Sequence, residues 1–120
     1  MRLAKIKNKY LFNSKEPDGV HTYAVYYDKK KKENRAVALT HLYVKDEKRF
    51  KQVKRGNIMV QKFKEFNNIP SGVQNYYYSK TKKGEKINLK DNNVVKVHKR
   101  FLPKKQADKI KRFAYKNYNK

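Results

Sequence analysis

Residues 20–44 read V-H-T-Y-A-V-Y-Y-D-K-K-K-K-E-N-R-A-V-A-L-T-H-L-Y-V, and this stretch decides the fold. Its first part, 20–27, is rich in β-branched and aromatic residues, the types that fit a pleated, half-buried surface. Four consecutive lysines follow, Lys29, Lys30, Lys31 and Lys32. A run of that kind is solvated, so 28–34 is predicted to be a hairpin tip between antiparallel strands. Residues 35–44 then alternate with period two. Val37, Leu39, His41 and Tyr43 fall on one face, and Ala36, Ala38, Thr40 and Leu42 on the other. Small residues on the second face imply a curved sheet packed closely against something.

On the N-terminal side, residues 1–16 read as a basic segment ending in the turn Glu16-Pro17-Asp18-Gly19. On the C-terminal side, 45–56 is polar around a single Phe50 and reads as a long basic loop, with a short helical turn as the alternative. Strand character returns in 57–63, in 73–79, around Ile87 and Leu89, and in 94–98. Turns at Pro70-Ser71-Gly72, Lys83-Gly84 and Asp91-Asn92-Asn93 separate these runs. Pro103 suits the first position of a helix, where its missing N–H would have been unpaired anyway. Ala107, Ile110, Phe113 and Ala114 then recur at helical spacing, which predicts an amphipathic helix over 103–118. The sum is one domain over 1–120, mainly β, with five or six short antiparallel strands and a C-terminal α-helix. A small curled antiparallel barrel would close that many short strands without exposed edges.

Lys and Arg number 33 against 10 Asp and Glu, a net charge of +23 at pH 7. Small domains ordinarily carry a net charge of magnitude about 2–8. A surplus this large repels itself and weakens the compact state unless a polyanion offsets it. Nucleic acid is a natural counterweight, because each phosphate contacted by Lys or Arg releases condensed counterions. The expected partner is therefore RNA, with single strands favoured, or single-stranded DNA. A highly charged surface without a specific partner is the plain alternative. A membrane is not expected, because no long basic amphipathic helix faces a wide apolar stripe and no stretch could span a bilayer. The chain has no cysteine, and His21, His41 and His98 are widely separated. Neither a metal nor a cofactor is expected. The first ten residues lack the apolar core of an export signal, so the expected location is cytoplasmic.

The sequence carries no glycine-rich phosphate loop, no H-E-x-x-H and no nucleophile elbow. A modest site built from His, Arg and Thr is what remains. Metal-free cleavage of RNA needs a base for the 2′-hydroxyl, an acid for the leaving oxygen and donors around the phosphorane. His21 and His41 are the candidates for proton transfer, and Arg35 and Thr40 for the donors. The plain readings stand beside these: Thr40 as an ordinary strand Thr, His41 as a packed histidine, Arg35 as a phosphate-positioning cation. The candidate nucleic-acid contacts are the tip lysines (29–32), Lys45, Arg49, Lys54 and Arg55 in the basic loop, and Lys104, Lys105, Lys109 and Arg112 on the helix. Tyr76 and Tyr78 join them, from a run of three tyrosines among ten in the chain. Rings in a cationic groove stack unpaired bases, at about 1–3 kcal/mol each. Core packing is the alternative for both.

Residues 17–41, P-D-G-V-H-T-Y-A-V-Y-Y-D followed by R-A-V-A-L-T-H, resemble the opening of the PemK/MazF-like toxin ribonucleases. There a turn and a strand lead through a variable loop to a strand ending in Leu-Thr. The ToxN-like toxins share that architecture and a similar A-P-L-T element, whose counterpart here is Ala38-Leu39-Thr40. Residues 94–102 and the helix after them are similar to the family's last strand, Arg-Leu segment and closing helix. The resemblance implies an SH3-like, PemK-like antiparallel barrel and a small metal-independent endoribonuclease that leaves a cyclic phosphate. It implies a place for Thr40 near the scissile phosphate, with His21 and Arg35 as looser matches, and an antitoxin as a partner. The basic loop and the Tyr-rich middle depart from the pattern. Two other readings stay open. One is a non-enzymatic RNA- or single-stranded-DNA-binding accessory protein of a phage or mobile element. The other is a basic adaptor that grips an acidic protein or an RNA–protein complex.

Overall fold

Arg2–Lys7 is a strand, β1, rather than part of a basic leader. Leu3, Ala4 and Ile6 are buried while Lys5 stays outside, so the lysines had concealed a core element. The structure, a computed structural model, describes residues 1–41, 43–44, 49–50, 58–60 and 71–119. One helical turn, Asn8–Leu11 (α1), follows β1 and buries Asn8 and Leu11. Val20–Asp28 (β2) and Glu33–His41 (β3) form the expected hairpin, paired from Asp28↔Glu33 to Tyr23↔Ala38. Tyr43–Val44 (β4) pairs with Arg49–Phe50 (β5) in a separate ladder inside the basic stretch. The remaining strands are Ile58–Val60 (β6), Ser71–Tyr78 (β7) and Val95–Phe101 (β8). Lys104–Phe113 forms α2, and Lys116–Asn117 forms β9.

The main sheet runs β6-β7-β3-β2-β1-β8, antiparallel throughout, with β9 added parallel to β7. Its ends are β6 and β8, so the described strands form an open mixed sheet and not the closed barrel expected. Closure is one way to protect apolar faces; this sheet covers both of them instead. On one face Leu3, Ala24, Tyr26, Val37, Leu39, Val73 and Tyr77 pack with Leu102, Ile110 and Ala114 from α2 and its flanks. On the other, Ala4, Ile6, Tyr23, Val25, Ala36, Tyr78 and Val95 pack with Leu11 and Ile87. Ala36 lies opposite Tyr78 across β3 and β7, which gives the small face of β3 its close neighbour. Ile87, expected in a strand, is buried from the loop between β7 and β8.

The helix is shorter than the predicted 103–118. The Ala114 N–H closes its last turn on the Ile110 carbonyl, and the chain then returns to β7. Tyr118 N–H donates to the Tyr77 carbonyl, and the Asn119 side chain accepts from the N–H groups of Ser79 and Lys80. These backbone partners outweigh one more helical turn. Ile110 is fully buried under α2, a contribution of about 2–3 kcal/mol.

Candidate nucleic-acid interface

The β2–β3 hairpin ends in the four lysines. The Asp28 carboxylate accepts from Lys31 N–H at 3.0 Å, which folds the turn back on itself. Lys32 completes it with φ of 53°, in the left-handed region. All four lysines are exposed. Lys86 Nζ donates to the Lys32 carbonyl at 3.1 Å, so the loop before β8 reaches the same tip. β1 starts and β8 finishes at this end of the sheet, as Arg2↔Val25 and Arg2↔Phe101 show. From there the chain enters α2, where Lys104, Lys105, Lys109 and Arg112 are exposed. No acidic residue balances the lysines in the first turn of α2.

Arg35 sits beneath the tip and is committed. Its Nη1 lies 3.0 Å from Asp28 Oδ2 and its Nε 3.2 Å from Glu33 Oε2. The guanidinium rests 4.1 Å from the Tyr77 ring centroid, and the side chain is only 15% exposed. Burial disfavours its charge, yet bonds with the Tyr26 hydroxyl and Glu33 raise its pKa above the ordinary value. The Asp28 carboxyl is held below the usual carboxylate range by Lys31 N–H, with Arg35 adding to it. Arg35 is thus engaged by internal partners on three sides.

His21, Thr40 and His41 lie at the opposite end of the sheet. Arg35 and Thr40 are five steps apart along β3, about 17 Å at strand rise, so the two do not share one phosphate. Thr40 pairs with Gly72 and His41 with Ser71 at the end of β3. His21 stands near the start of β2, and its Nδ1 bonds the Asn8 side-chain oxygen. An amide oxygen only accepts, so Nδ1 is the donor in this bond and Nε2 takes no part in it. Asn8 is itself fixed, donating to the Glu16 carbonyl at 3.0 Å. Gly19 lets the preceding turn close over Asn8, since a Cβ there would stand 3.1 Å from Asn8 Nδ2. The Phe12 ring packs 6.1 Å from His21.

Tyr78 is not a stacking platform. It is 5% exposed, with the rings of Tyr118, Tyr76, Tyr23 and Phe12 around it, and burial pushes its hydroxyl pKa up. Tyr76 is half-buried against Tyr118. Arg49 lies in β5, paired with Val44, while Lys45, Lys54 and Arg55 lie outside the described residues. Among the described residues the exposed rings are others: Tyr27, Phe101, Tyr115 and Tyr118. The sequence held one clue to the first two, since each ends a strand beside a run of cations.

Among the described residues no cluster of His, Asp or Glu could hold a metal. Nor is any of their helices long and apolar enough to cross a membrane. No family model, no curated protein and no solved structure matches the chain.

Proposed function

We propose that the protein binds single-stranded nucleic acid, RNA foremost, through the hairpin end of its sheet. One observation carries this reading: cations from separate segments meet there. They are the tip lysines with Lys86 at the turn, and Arg2, Lys90 of the loop before β8 and Lys111 of α2 around the cavity beside it. Each phosphate engaged releases counterions, and the release drives association in proportion to the number of contacts. An open sheet serves this purpose as well as a barrel. The test is retention of a labelled, mostly single-stranded RNA in EDTA at two salt concentrations. Expected is binding that weakens steeply with salt, by a log–log slope of about 0.7 per phosphate contacted. No retention at low salt would refute the reading.

A second reading, a metal-independent ribonuclease of the toxin type, has its own support. His21, Thr40 and His41 come from two strands to one end of the sheet. Nε2 of His21 would take the 2′-hydroxyl proton, the 2′-oxygen would attack phosphorus, and the P–O5′ bond would break with water giving the leaving 5′-oxygen its proton as the cyclic phosphate forms. The donors Arg35 was expected to supply would have to come from elsewhere. The same incubation tests it with Thr40→Ala beside wild type. Discrete cuts by wild type alone, with both proteins binding, would establish the enzyme.

A further inference from the structure

A cavity of about 440 Å³ opens at the hairpin end, within the range of about 300–1,000 Å³ typical of small-ligand sites. Its wall is drawn from Arg2 of β1, Tyr27 of β2, Phe101 of β8, Lys111 of α2, and Asn88 and Lys90 of the loop before β8. Two rings that folding ordinarily buries stand open here, Phe101 at 65% and Tyr27 at 55% exposure. The Arg2 guanidinium lies 5.2 Å from the Phe101 ring centroid, and Lys111 Nζ lies 5.3 Å from that of Tyr26, on another wall. No Asp or Glu is among the described residues that line the cavity. The amides at its rim are fixed. Asn34 Nδ2 donates to the Ile87 carbonyl at 2.9 Å, and Asn88 Oδ1 accepts from Lys90 N–H at 3.0 Å.

Open aromatic faces, cations beside them and fixed amides correspond to the three parts of an unpaired nucleotide: base face, phosphate and base edge. A duplex buries its base faces in its own stack, and an uncharged aromatic ligand would leave the cations unpaired. We infer that this cavity is a subsite for one unpaired nucleotide of the bound strand. The base stacks on Phe101 and Tyr27, and its phosphate lies on Arg2, Lys90 and Lys111. The inference rests on the binding reading above and gives that end of the molecule a preference for single strands.

The chain has no tryptophan, so Phe101→Trp introduces a single indole at the subsite. The probes are oligouridylate and oligothymidylate of about 10 nucleotides, within the usual site sizes, with uridine monophosphate and a duplex of equal length beside them. Expected is quenching of the indole as either single strand saturates, and little quenching by the duplex. A Trp placed by Tyr115→Trp, past the far end of α2, should stay bright. Phe101→Ala should weaken strand binding about tenfold, one base stack, without altering its salt slope. Arg2→Gln should instead make that slope shallower by about 0.7. Phe101 is exposed, and an unchanged melting temperature verifies that its variants fold. An indole that stays bright while a strand binds overturns the subsite and leaves the binding reading standing. Quenching by the mononucleotide but by neither strand would overturn it as well. Failure of wild type to bind any strand overturns both.

Discussion

At the hairpin end of the sheet, lysines stand on exposed turns beside open aromatic rings, and the half-buried Arg35 is matched by two carboxylates. At the opposite end, His21 is tied to a buried Asn8, and that amide is tied in turn to the Glu16 carbonyl. The first arrangement leaves charge unmatched and available to a polyanion; the second spends its polar groups on positioning one ring. Net charge does not tell them apart, since basic residues occur along the whole chain. Exposure, and the presence of an internal partner, does.

The largest effect should come from removing the tip charge. Changing all four tip lysines to Gln should weaken RNA binding at about 0.15 M salt by about two hundredfold if each contacts a phosphate. The triple change Lys5→Gln, Lys7→Gln and Lys96→Gln, toward the histidine end, should weaken it by less than about threefold, well short of the loss of about fiftyfold for three tip lysines. Equal losses in a filter-binding or anisotropy titration would dissolve the distinction between the ends.

Arg35→Ala comes next, and its effect should appear in stability. Removing the guanidinium strands Asp28 and Glu33 beside the Tyr77 ring. Full burial would make that about 3–5 kcal/mol; partial exposure lowers it to about 2 kcal/mol. Urea unfolding measures this directly. A variant as stable as wild type would return Arg35 to the list of residues free to serve a ligand.

A smaller effect follows from pH. The Asp28 carboxyl has a folded pKa below its ordinary value of 3.8, set first by Lys31 N–H and then helped by Arg35. Its contribution to stability is therefore complete above that ordinary value and is lost as pH falls through the lowered folded value. Asp28→Asn should flatten the acid limb of the stability profile below about pH 4. Asp18, at the other end, is also lowered, by Lys9, but it is fully exposed. Asp18→Asn should leave that limb where it is. Identical limbs for wild type and Asp28→Asn would show that the tip turn does not depend on the ionised carboxylate.

How much of this was legible depended on how local the cause was. The β2–β3 hairpin could be read because the alternation and the lysine run are contiguous, and α2 because Ala107 and Ile110 repeat at helical spacing. β1 could not, because it is buried on both faces: Leu3 serves one core, and Ala4 and Ile6 the other. A strand between two neighbours need not alternate cleanly, and its interspersed lysines read as a basic arm. The site was less legible still. Arg35 is fixed by Tyr77, far away in sequence, and Tyr78 is buried by Phe12 and Tyr118 from opposite ends of the chain. Phe101 is open because β8 is an edge strand whose register shifts between Arg2 and Ala4, a property of the assembled sheet.

The smallest effect separates charge from shape within the tip itself. Lys32 holds a left-handed φ of 53°, a conformation that disfavours a β-carbon by about 1–2 kcal/mol and that glycine adopts freely. Glycine also gives the unfolded chain more freedom, which offsets part of the gain. Lys32→Gly should therefore raise stability by up to about 1 kcal/mol while weakening RNA binding about fourfold, the share of one phosphate contact. Lys32→Asn tolerates the same φ without the charge and should show the same loss of affinity. If both variants bind as wild type does, Lys32 keeps its place for the turn alone, and its three exposed neighbours carry the charge of the tip.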